Sequence, residues 1–224
     1  MPFEDSKLVG DSMSIQGLPP HVLLLHGAGV SNRERWQSFR DSLLARGIGS
    51  CAFDFIGHGE TGGAIASSSL KRRTDQAIQF IRTAKIPTPL TLIGSSMGAY
   101  TALKVSQFFP VDKLIFLVPG MYSRDLYNIN FGDKFSEIIR KNRSWENSDA
   151  WEILSSFTGE ILVIGAEKDE TVPRELTQKI YDSAVGASSK ELYFVPGSSH
   201  GLGKFLEENE DERNRVVSLI AKVK

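Results

Sequence analysis

The feature that constrains this chain most is a segment in which an apolar run, a glycine–serine turn and a helix-like stretch follow one another. Residues 90–93 form the apolar run, Gly94-Ser95-Ser96-Met97-Gly98 reads G-x-S-x-G, and residues 99–109 have the apolar spacing of a helix. A turn this tight strains the backbone of Ser96 and presses the flanking positions together, where only glycine fits. The segment therefore predicts a strand, a sharp turn that exposes the Ser96 hydroxyl, and a helix.

Composition narrows the class of protein. The 224 residues predict a single domain, residues 1–224, with net charge −1 and no electrostatic sign of nucleic-acid binding. Cys51 is the only cysteine, so an intrachain disulfide is excluded, and no ligand spacing suggests a metal. With no signal-peptide pattern and no apolar run near the ~18 residues of a membrane helix, we expect a cytoplasmic protein without a membrane contact. The oligomeric state is open.

Strand-like and helix-like segments alternate along the chain. The predicted strands cover residues 21–26, 48–55, 90–93, 113–118, 160–165 and 191–195, and the predicted helices cover 31–46, 70–83, 99–109, 173–184 and 209–223. Residues 3–20 suggest a short hairpin, and Asn209 with Glu212 suggests a capping box for the last helix. This alternation predicts an α/β fold with a mostly parallel sheet covered by helices on both faces.

Residues 121–158 interrupt the alternation. They contain helix-like pieces near 134–141 and 148–156 and an unusual density of aromatic residues, among them Tyr122, Tyr127, Phe131, Phe135, Trp145 and Trp151. The segment follows a predicted strand, so we expect a small helical lid above Ser96. Phe131, Phe135 and Trp145 are then candidates to line an apolar slot for an acyl group. The alternative is that these rings only attach the lid to the domain.

Ser96 needs a base to remove its proton, and the base needs an orienting acid. Asp169 follows the predicted strand 160–165, and His200 follows the strand 191–195. The carboxyl ends of parallel strands meet at one edge of the sheet, which is also where Ser96 lies. We therefore predict Ser96 as nucleophile, His200 as base and Asp169 as acid.

Two glutamates compete with Asp169 for the role of the acid. Glu167 and Glu170 lie in the same loop, but the usual spacing of a strand and a short loop favours Asp169. The two glutamates are then interpreted as solvated charges.

The negative charge that develops on a substrate oxygen needs fixed N–H donors. Met97, just after the nucleophile and at a helix start, offers one backbone N–H. The loop His26-Gly27-Ala28-Gly29 offers the second, which we assign to Ala28. His26 is interpreted as structural, holding this loop by hydrogen bonds.

Four further residues have weaker signals. His58 lies in a glycine-rich loop and is interpreted as shaping that loop. Arg33 and Arg35 follow the Ala28 loop and are candidates to meet an anionic substrate, although a solvent-facing helix start is favoured. Cys51 is interpreted as a small core residue. Apart from these four, the basic run Lys71-Arg72-Arg73 is interpreted as a solvated helix end.

Together these segments resemble the α/β-hydrolase superfamily. The matching pieces are His26-Gly27-Ala28-Gly29, Asp54-Phe55-Ile56-Gly57-His58-Gly59-Glu60-Thr61, Gly94-Ser95-Ser96-Met97-Gly98, Gly165-Ala166-Glu167-Lys168-Asp169 with Val172-Pro173, and Gly197-Ser198-Ser199-His200. The resemblance implies the α/β-hydrolase fold and the same roles for Ser96, His200, Asp169, Ala28 and Met97. It also implies that no cofactor takes part.

The predicted function is a serine hydrolase that acts on a small carboxylic ester or thioester through an acyl-Ser96 intermediate. The expected partner is a small-molecule acyl substrate. Two alternatives stay open: a C–C or amide hydrolase with the same triad, and a non-catalytic protein that binds a small ligand in the same pocket.

Overall fold

Nine β-strands occur in the computed structural model, which describes residues 1–222. They are β1 (Pro2–Phe3), β2 (Ser6–Lys7), β3 (Gly10–Met13), β4 (Val22–Leu25), β5 (Ser50–Phe53), β6 (Leu90–Ser95), β7 (Val111–Leu117), β8 (Glu160–Ala166) and β9 (Ser189–Val195). A seven-stranded sheet has the order β3-β5-β4-β6-β7-β8-β9, in which only β3 runs antiparallel to its neighbour. The predicted, mostly parallel sheet is confirmed.

Eight α-helices occur among residues 1–222 and surround the sheet. They are α1 (Gln37–Ala45), α2 (Leu70–Ala84), α3 (Met97–Val105), α4 (Asp133–Ile139), α5 (Ala150–Ser156), α6 (Arg174–Ser183), α7 (Leu202–Glu208) and α8 (Glu210–Lys222). Within residues 1–222, none of the helices combines the length and the apolar composition that crossing a membrane requires.

The centre of the sheet is buried on both faces, and β4, which is apolar at every position, shows this most clearly. In β4, Leu23 and Leu25 join the core beneath α2 and α3, whereas Val22 and Leu24 join the core beneath α1 and α8. All four side chains are buried. Successive residues of a strand point to opposite faces, so this strand is covered on both sides, as the sequence predicts.

The N-terminal region forms more than the predicted hairpin. β1 and β2 pair as a separate two-stranded ribbon, and β3 adds an antiparallel edge strand to the main sheet. Gly10 permits this pairing, because a Cβ at that position would lie 2.6 Å from the carbonyl oxygen of Ala52.

The C-terminal region differs from its prediction. α7 begins two residues after His200 and was not predicted. Instead of a capping box, the Asn209 side chain donates to the Phe205 carbonyl at 2.7 Å, and the Glu212 carboxylate accepts from the Tyr193 hydroxyl at 2.9 Å. Contacts with α7 and β9 thus engage the two side chains that local sequence assigned to a cap. The predicted helix end at Val223 lies outside the described residues.

Residues 121–158, here called the insert, connect β7 to β8 and contain both predicted helices, as α4 and α5. α5 packs against α3 and α6. Asp149, just before α5, accepts a hydrogen bond from Tyr100 and pairs with Lys104, both at 2.7 Å. These contacts fix the C-terminal half of the insert to α3, the helix that follows Ser96.

Candidate active site

Ser96 occupies the sharp turn between β6 and α3. Its φ of 50° and ψ of −117° are strained values for a residue with a side chain. The Ser96 N–H donates to the Leu117 carbonyl at 2.8 Å, which ties the turn to β7. A Cβ at Gly98 would lie 2.1 Å from the Leu25 oxygen, and one at Gly94 would lie 2.5 Å from the Cα of Ala99. Both glycines are therefore required by close backbone approach.

Three side chains that are far apart in sequence form one hydrogen-bonded chain. Ser96 Oγ lies 3.0 Å from His200 Nε2, and His200 Nδ1 lies 2.9 Å and 3.1 Å from the two Asp169 carboxylate oxygens. The residues come from the loops after β6, β8 and β9, at one edge of the sheet. This geometry can pass a proton from the serine to the imidazole while the carboxylate holds the ring.

The Asp169 carboxylate is held by its own loop as well as by His200. Its Oδ1 accepts from the backbone N–H groups of Thr171 and Val172, at 2.9 Å and 2.8 Å. Burial acts to raise the pKa of Asp169, but the hydrogen bonds from His200, Val172 and Thr171 outweigh it and lower that pKa below its usual value. The carboxylate is therefore ionised and accepts the His200 Nδ1 proton.

Glu167 has a partner that the sequence did not indicate. Although exposed, its carboxylate accepts from the Gly197 N–H at 2.7 Å, and the neighbouring Lys168 N–H donates to the Ser198 carbonyl at 2.8 Å. Glu167 is thus not a purely solvated charge, because it joins the loop that carries Asp169 to the loop that carries His200. Glu170 is exposed, as expected.

The two predicted N–H donors belong to residues that lie close to Ser96. Met97 is the first residue of α3, where backbone N–H groups have no partner inside the helix. The Ala28 loop lies against the nucleophile, since a Cβ at Gly27 would be 3.1 Å from the Ser96 Cβ. Ala28 and Met97 line a common cavity of about 250 Å³.

His26 holds this loop by hydrogen bonds from inside the protein, as predicted. Its Nδ1 lies 2.8 Å from the Gly27 carbonyl oxygen, and its Nε2 accepts from the Phe55 N–H at 3.1 Å, which assigns the proton to Nδ1. Burial, with Arg73 and His58 nearby, lowers the pKa of His26 well below its usual value. The ring is therefore neutral. His58 lies beside it, with ring centres 4.9 Å apart, and its Nδ1 contacts the Ile56 carbonyl at 3.3 Å.

The three predicted lining aromatics divide between two cavities. Phe131 and Phe135 line the 250 Å³ cavity with Ala28 and Met97, and their rings meet edge to face with centres 4.9 Å apart. Trp145 instead lines a cavity of about 310 Å³ that contains Ser96. Phe135 and Trp145 are buried and also belong to the core, so they attach the insert to the domain as well as facing these spaces.

The two arginines after the Ala28 loop differ in their surroundings. Arg33 pairs with Asp11 at 2.7 Å and also with Asp54 and Glu60, so it is a structural ion pair and not part of a solvated helix start. Arg35 is exposed and lines a cavity of about 160 Å³ with Ser96, His200 and Lys204. No carboxylate among residues 1–222 lies within ion-pair distance of Arg35.

Sequence reasoning missed two residues near this edge. Tyr122 lines the 310 Å³ cavity beside Ser96, and burial raises its pKa to about 12, so it is a phenol donor at neutral pH. Arg73, in the first turn of α2, is fully buried behind the Ala28 loop. The aromatic density of the insert pointed toward Tyr122. The interpretation of Lys71-Arg72-Arg73 as a solvated helix end is wrong for Arg73, because the packing of α2 places that side chain inside the protein. Within the described part of the chain, no three His, Cys, Asp or Glu side chains form a group that could hold a metal.

Comparisons with known proteins agree with this architecture. The lysophosphatidylserine lipase ABHD12 of Danio rerio is 27% identical over an alignment of 206 residues that covers 83% of this chain and 53% of that protein. The chain thus spans about half the length of this curated relative.

Solved structures share the fold at low sequence identity. The esterase EaEST from Exiguobacterium antarcticum superimposes with a TM-score of 0.72 and 20% identity, covering 96% of each chain. A thioesterase domain from the curacin biosynthetic pathway gives a TM-score of 0.73 and 18% identity, covering 99% of this chain and 97% of that one. Residues 19–145, more than half of the chain, match the family model Hydrolase_4, described as serine aminopeptidase, S33. The protein is therefore a member of the Hydrolase_4 family of α/β-hydrolases.

Proposed function

We propose that this hydrolase cleaves a small carboxylic ester or thioester through an acyl-Ser96 intermediate. The observation that carries the proposal is the unbroken chain of hydrogen bonds from Ser96 Oγ through His200 to Asp169. A serine in this arrangement becomes a nucleophile because the imidazole accepts its proton as the serine oxygen attacks.

In the acylation step, Ser96 Oγ attacks the carbonyl carbon while His200 Nε2 takes the hydroxyl proton. The negative charge on the carbonyl oxygen is stabilised by the N–H groups of Ala28 and Met97. The bond to the leaving oxygen or sulfur then breaks, and His200 returns the proton to that atom. In deacylation, His200 takes a proton from water, the resulting nucleophile attacks the acyl carbon, and Ser96 leaves with the proton.

The cavity that contains Ala28 and Met97 is the proposed acyl side. Its other lining residues are mostly apolar and include Phe131, Phe135 and Ile139, and its volume is about 250 Å³. An acyl carbonyl held by the two N–H groups directs its chain into this space. The insert, which supplies Phe131 and Phe135, is thereby proposed to be the lid of the site.

A fluorophosphonate probe and a panel of p-nitrophenyl esters, acyl thioesters and amides test the proposal. We expect the probe to label Ser96, and Ser96→Ala to lower kcat by about 10³–10⁶-fold on whichever substrates turn over. Ser95→Ala is the matched control, since it removes the neighbouring hydroxyl, and it should retain labelling.

Each other outcome selects an alternative. Labelling at Ser95, or full turnover by Ser96→Ala, contradicts the proposal. Ser96-dependent cleavage of amides alone favours an amidase. Probe labelling of Ser96 with no turnover on any class of substrate favours a protein that binds a small ligand in this pocket.

A second candidate is an ester whose leaving group is anionic. His200, which must protonate the leaving atom, lines the 160 Å³ cavity with Arg35 and Lys204, and no lining residue of that cavity is acidic. The name of the zebrafish relative, a lysophosphatidylserine lipase, fits the same charge preference. 2-(Butyryloxy)ethyl phosphate and 2-methoxyethyl butyrate share an acyl group and differ in charge. A higher kcat/KM for the phosphate, reduced by Arg35→Gln but not by Arg82→Gln at an exposed position elsewhere, favours this candidate.

A further inference from the structure

Arg73 is a fully buried cation without a counter-charge. Its side chain is 0% exposed, and no carboxylate among residues 1–222 lies within ion-pair distance of it. Among the same residues, its Nε and Nη1 atoms have no hydrogen-bond partner either. Arg40, equally buried, pairs with Asp11 and donates to Ser50 Oγ at 3.0 Å. A buried unpaired charge lowers folding stability. A contribution to stability therefore does not explain why an arginine lies at position 73.

The contacts that Arg73 does make lead to the Ala28 loop. Its Nη2 donates to the carbonyl oxygens of His26 and, at 3.3 Å, of Gly27. Its guanidinium lies over the Phe55 ring, 3.7 Å from the ring centre. The Gly27 oxygen also accepts the Nδ1 proton of His26 at 2.8 Å. Two donors, one of them cationic, thus converge on a single carbonyl.

That carbonyl belongs to the same peptide unit as the Ala28 N–H. In a trans peptide the N–H points away from the C=O. Because the Gly27 oxygen faces buried Arg73 and His26, the Ala28 N–H faces the opposite way. Ala28 lines the cavity of about 250 Å³ together with Met97, the residue that follows Ser96. Drawing charge from the oxygen polarises the whole peptide and strengthens its N–H as a donor.

We propose that Arg73 is a positioning residue for the reaction: its buried charge holds and polarises the Gly27–Ala28 peptide, so that the Ala28 N–H stabilises the oxyanion more strongly. This inference rests on the proposed function of Ser96. The charge is fixed before the reaction and is fully buried, so it acts on developing negative charge with little screening. A neutral ester gains little from this charge when it binds in its ground state. The Arg73 charge should therefore raise kcat and leave KM nearly unchanged.

Three substitutions separate charge from hydrogen bonding. Arg73→Lys keeps a cation and a donor, Arg73→Gln keeps a donor alone, and Arg73→Met keeps neither. We expect kcat on a neutral p-nitrophenyl ester to fall about 10–100-fold in the glutamine and methionine variants, less than the 10²–10³-fold typical of losing an oxyanion donor outright. The lysine variant should retain most of kcat. A trifluoromethyl ketone, which forms a tetrahedral adduct with serine, should lose affinity by the same factors.

The melting temperatures of the variants distinguish a positioning role in the reaction from a purely structural role. Arg73→Met should unfold at a Tm equal to or above that of the wild type, because it removes an unpaired buried charge. Arg40→Met is the matched control: it also removes a buried arginine, and it should lower Tm while leaving kcat unchanged. If Arg73→Met does not fold, the ratio of kcat between the lysine and glutamine variants decides the question.

Equal kcat in the lysine and glutamine variants overturns the proposal, as does a loss of kcat that only parallels a fall in Tm. If the wild type itself shows no Ser96-dependent hydrolysis, the proposed function and this inference fail together. Ser96-dependent hydrolysis that is insensitive to Arg73 removes only the inference.

Discussion

Three carboxylates lie within the four residues 167–170, and their surroundings separate them. Asp169 contacts His200 and accepts two backbone N–H groups of its own loop, Glu167 accepts from Gly197, and Glu170 is exposed. The shorter aspartate side chain can be held by the turn that follows it while it still reaches the imidazole. Position and side-chain length together therefore favour Asp169 as the acid.

Asp169→Asn should fold normally and lose most of its activity. The amide cannot hold the His200 Nδ1 proton as a carboxylate does, so the ring loses its tautomer and orientation, with an expected fall in kcat of about 10³–10⁴-fold. Steady-state kinetics on the best ester measures the fall, with Glu170→Gln as the control for loss of a nearby charge. Comparable damage from Glu170→Gln would show that the acid is assigned to the wrong carboxylate.

At the scale of elements, the approach of α3 to the end of β4 sets the geometry of the turn at Ser96. The backbone of Gly98 lies so close to β4 that a Cβ would be 2.1 Å from the Leu25 oxygen and 2.8 Å from the His26 oxygen. These two backbones cannot yield as a flexible side chain would.

Gly98→Ala should therefore push α3 away from the sheet. Overpacking of this kind lowers the free energy of unfolding by about 1–3 kcal/mol. Here it should also shift the Met97 N–H relative to the Ser96 hydroxyl, so activity should fall together with stability. Urea unfolding and ester turnover measure the two effects. Gly201→Ala is the control, since its Cβ would meet nothing nearer than 3.8 Å. A Gly98→Ala protein with wild-type stability would contradict the close approach.

The cavity that the insert lines predicts how activity depends on the length of the acyl chain. If the acyl group enters the cavity lined by Phe131 and Phe135, kcat/KM should rise by up to about fourfold per methylene over the first few carbons and then level off. We expect the best p-nitrophenyl esters to lie between acetyl and hexanoyl, because the cavity holds about 250 Å³ and buried Phe135 lies against it.

Phe135→Leu should move that optimum to longer chains by opening the cavity. Trp145→Ala, which alters the other cavity beside Ser96, should leave the optimum in place. A steady climb through long chains in the wild type would indicate a deeper groove. A shift caused by Trp145→Ala alone would assign the acyl chain to the other cavity.

For the whole molecule, two buried histidines couple stability to pH. Burial is the main cause that lowers the pKa of both His26 and His58, with a further contribution from the Arg73 charge. In the unfolded chain both rings take up protons near their ordinary value of about 6.5. Above that pH both states are neutral and stability is full. Below it only the unfolded state gains protons, so stability falls.

The free energy of unfolding should decrease between pH 6.5 and 5.5 by up to about 1.4 kcal/mol per pH unit for each histidine. Urea unfolding at several pH values measures this slope. A folded His26→Gln protein should show a slope shallower by about one proton. Identical slopes in the two proteins would mean that His26 takes up its proton in the folded state as well.

Much of this architecture could be predicted from sequence because its signals are local. The apolar runs, the G-x-S-x-G turn and the regular alternation indicated the parallel sheet, and the order of the loops brought Asp169 and His200 to the edge of Ser96. Helix α7 was missed because Gly201, Gly203 and Lys204 gave it no strong helical pattern; its Leu202 and Leu206 are buried against the sheet. The capping box was wrong because Glu212, on α8, accepts a hydrogen bond from Tyr193 on β9.

By itself, the sequence determined the type and order of the elements and the residues at the turn, since periodicity and backbone sterics act over a few neighbouring positions. Only the tertiary structure decided how side chains were shared between distant elements. It paired Arg33 with three carboxylates, left Arg35 unpaired beside the site and buried Arg73 behind the Ala28 loop. The environment of a charged side chain depends on which groups surround it in space. Arginines in similar stretches of sequence can therefore have different surroundings, and the sequence alone does not tell them apart.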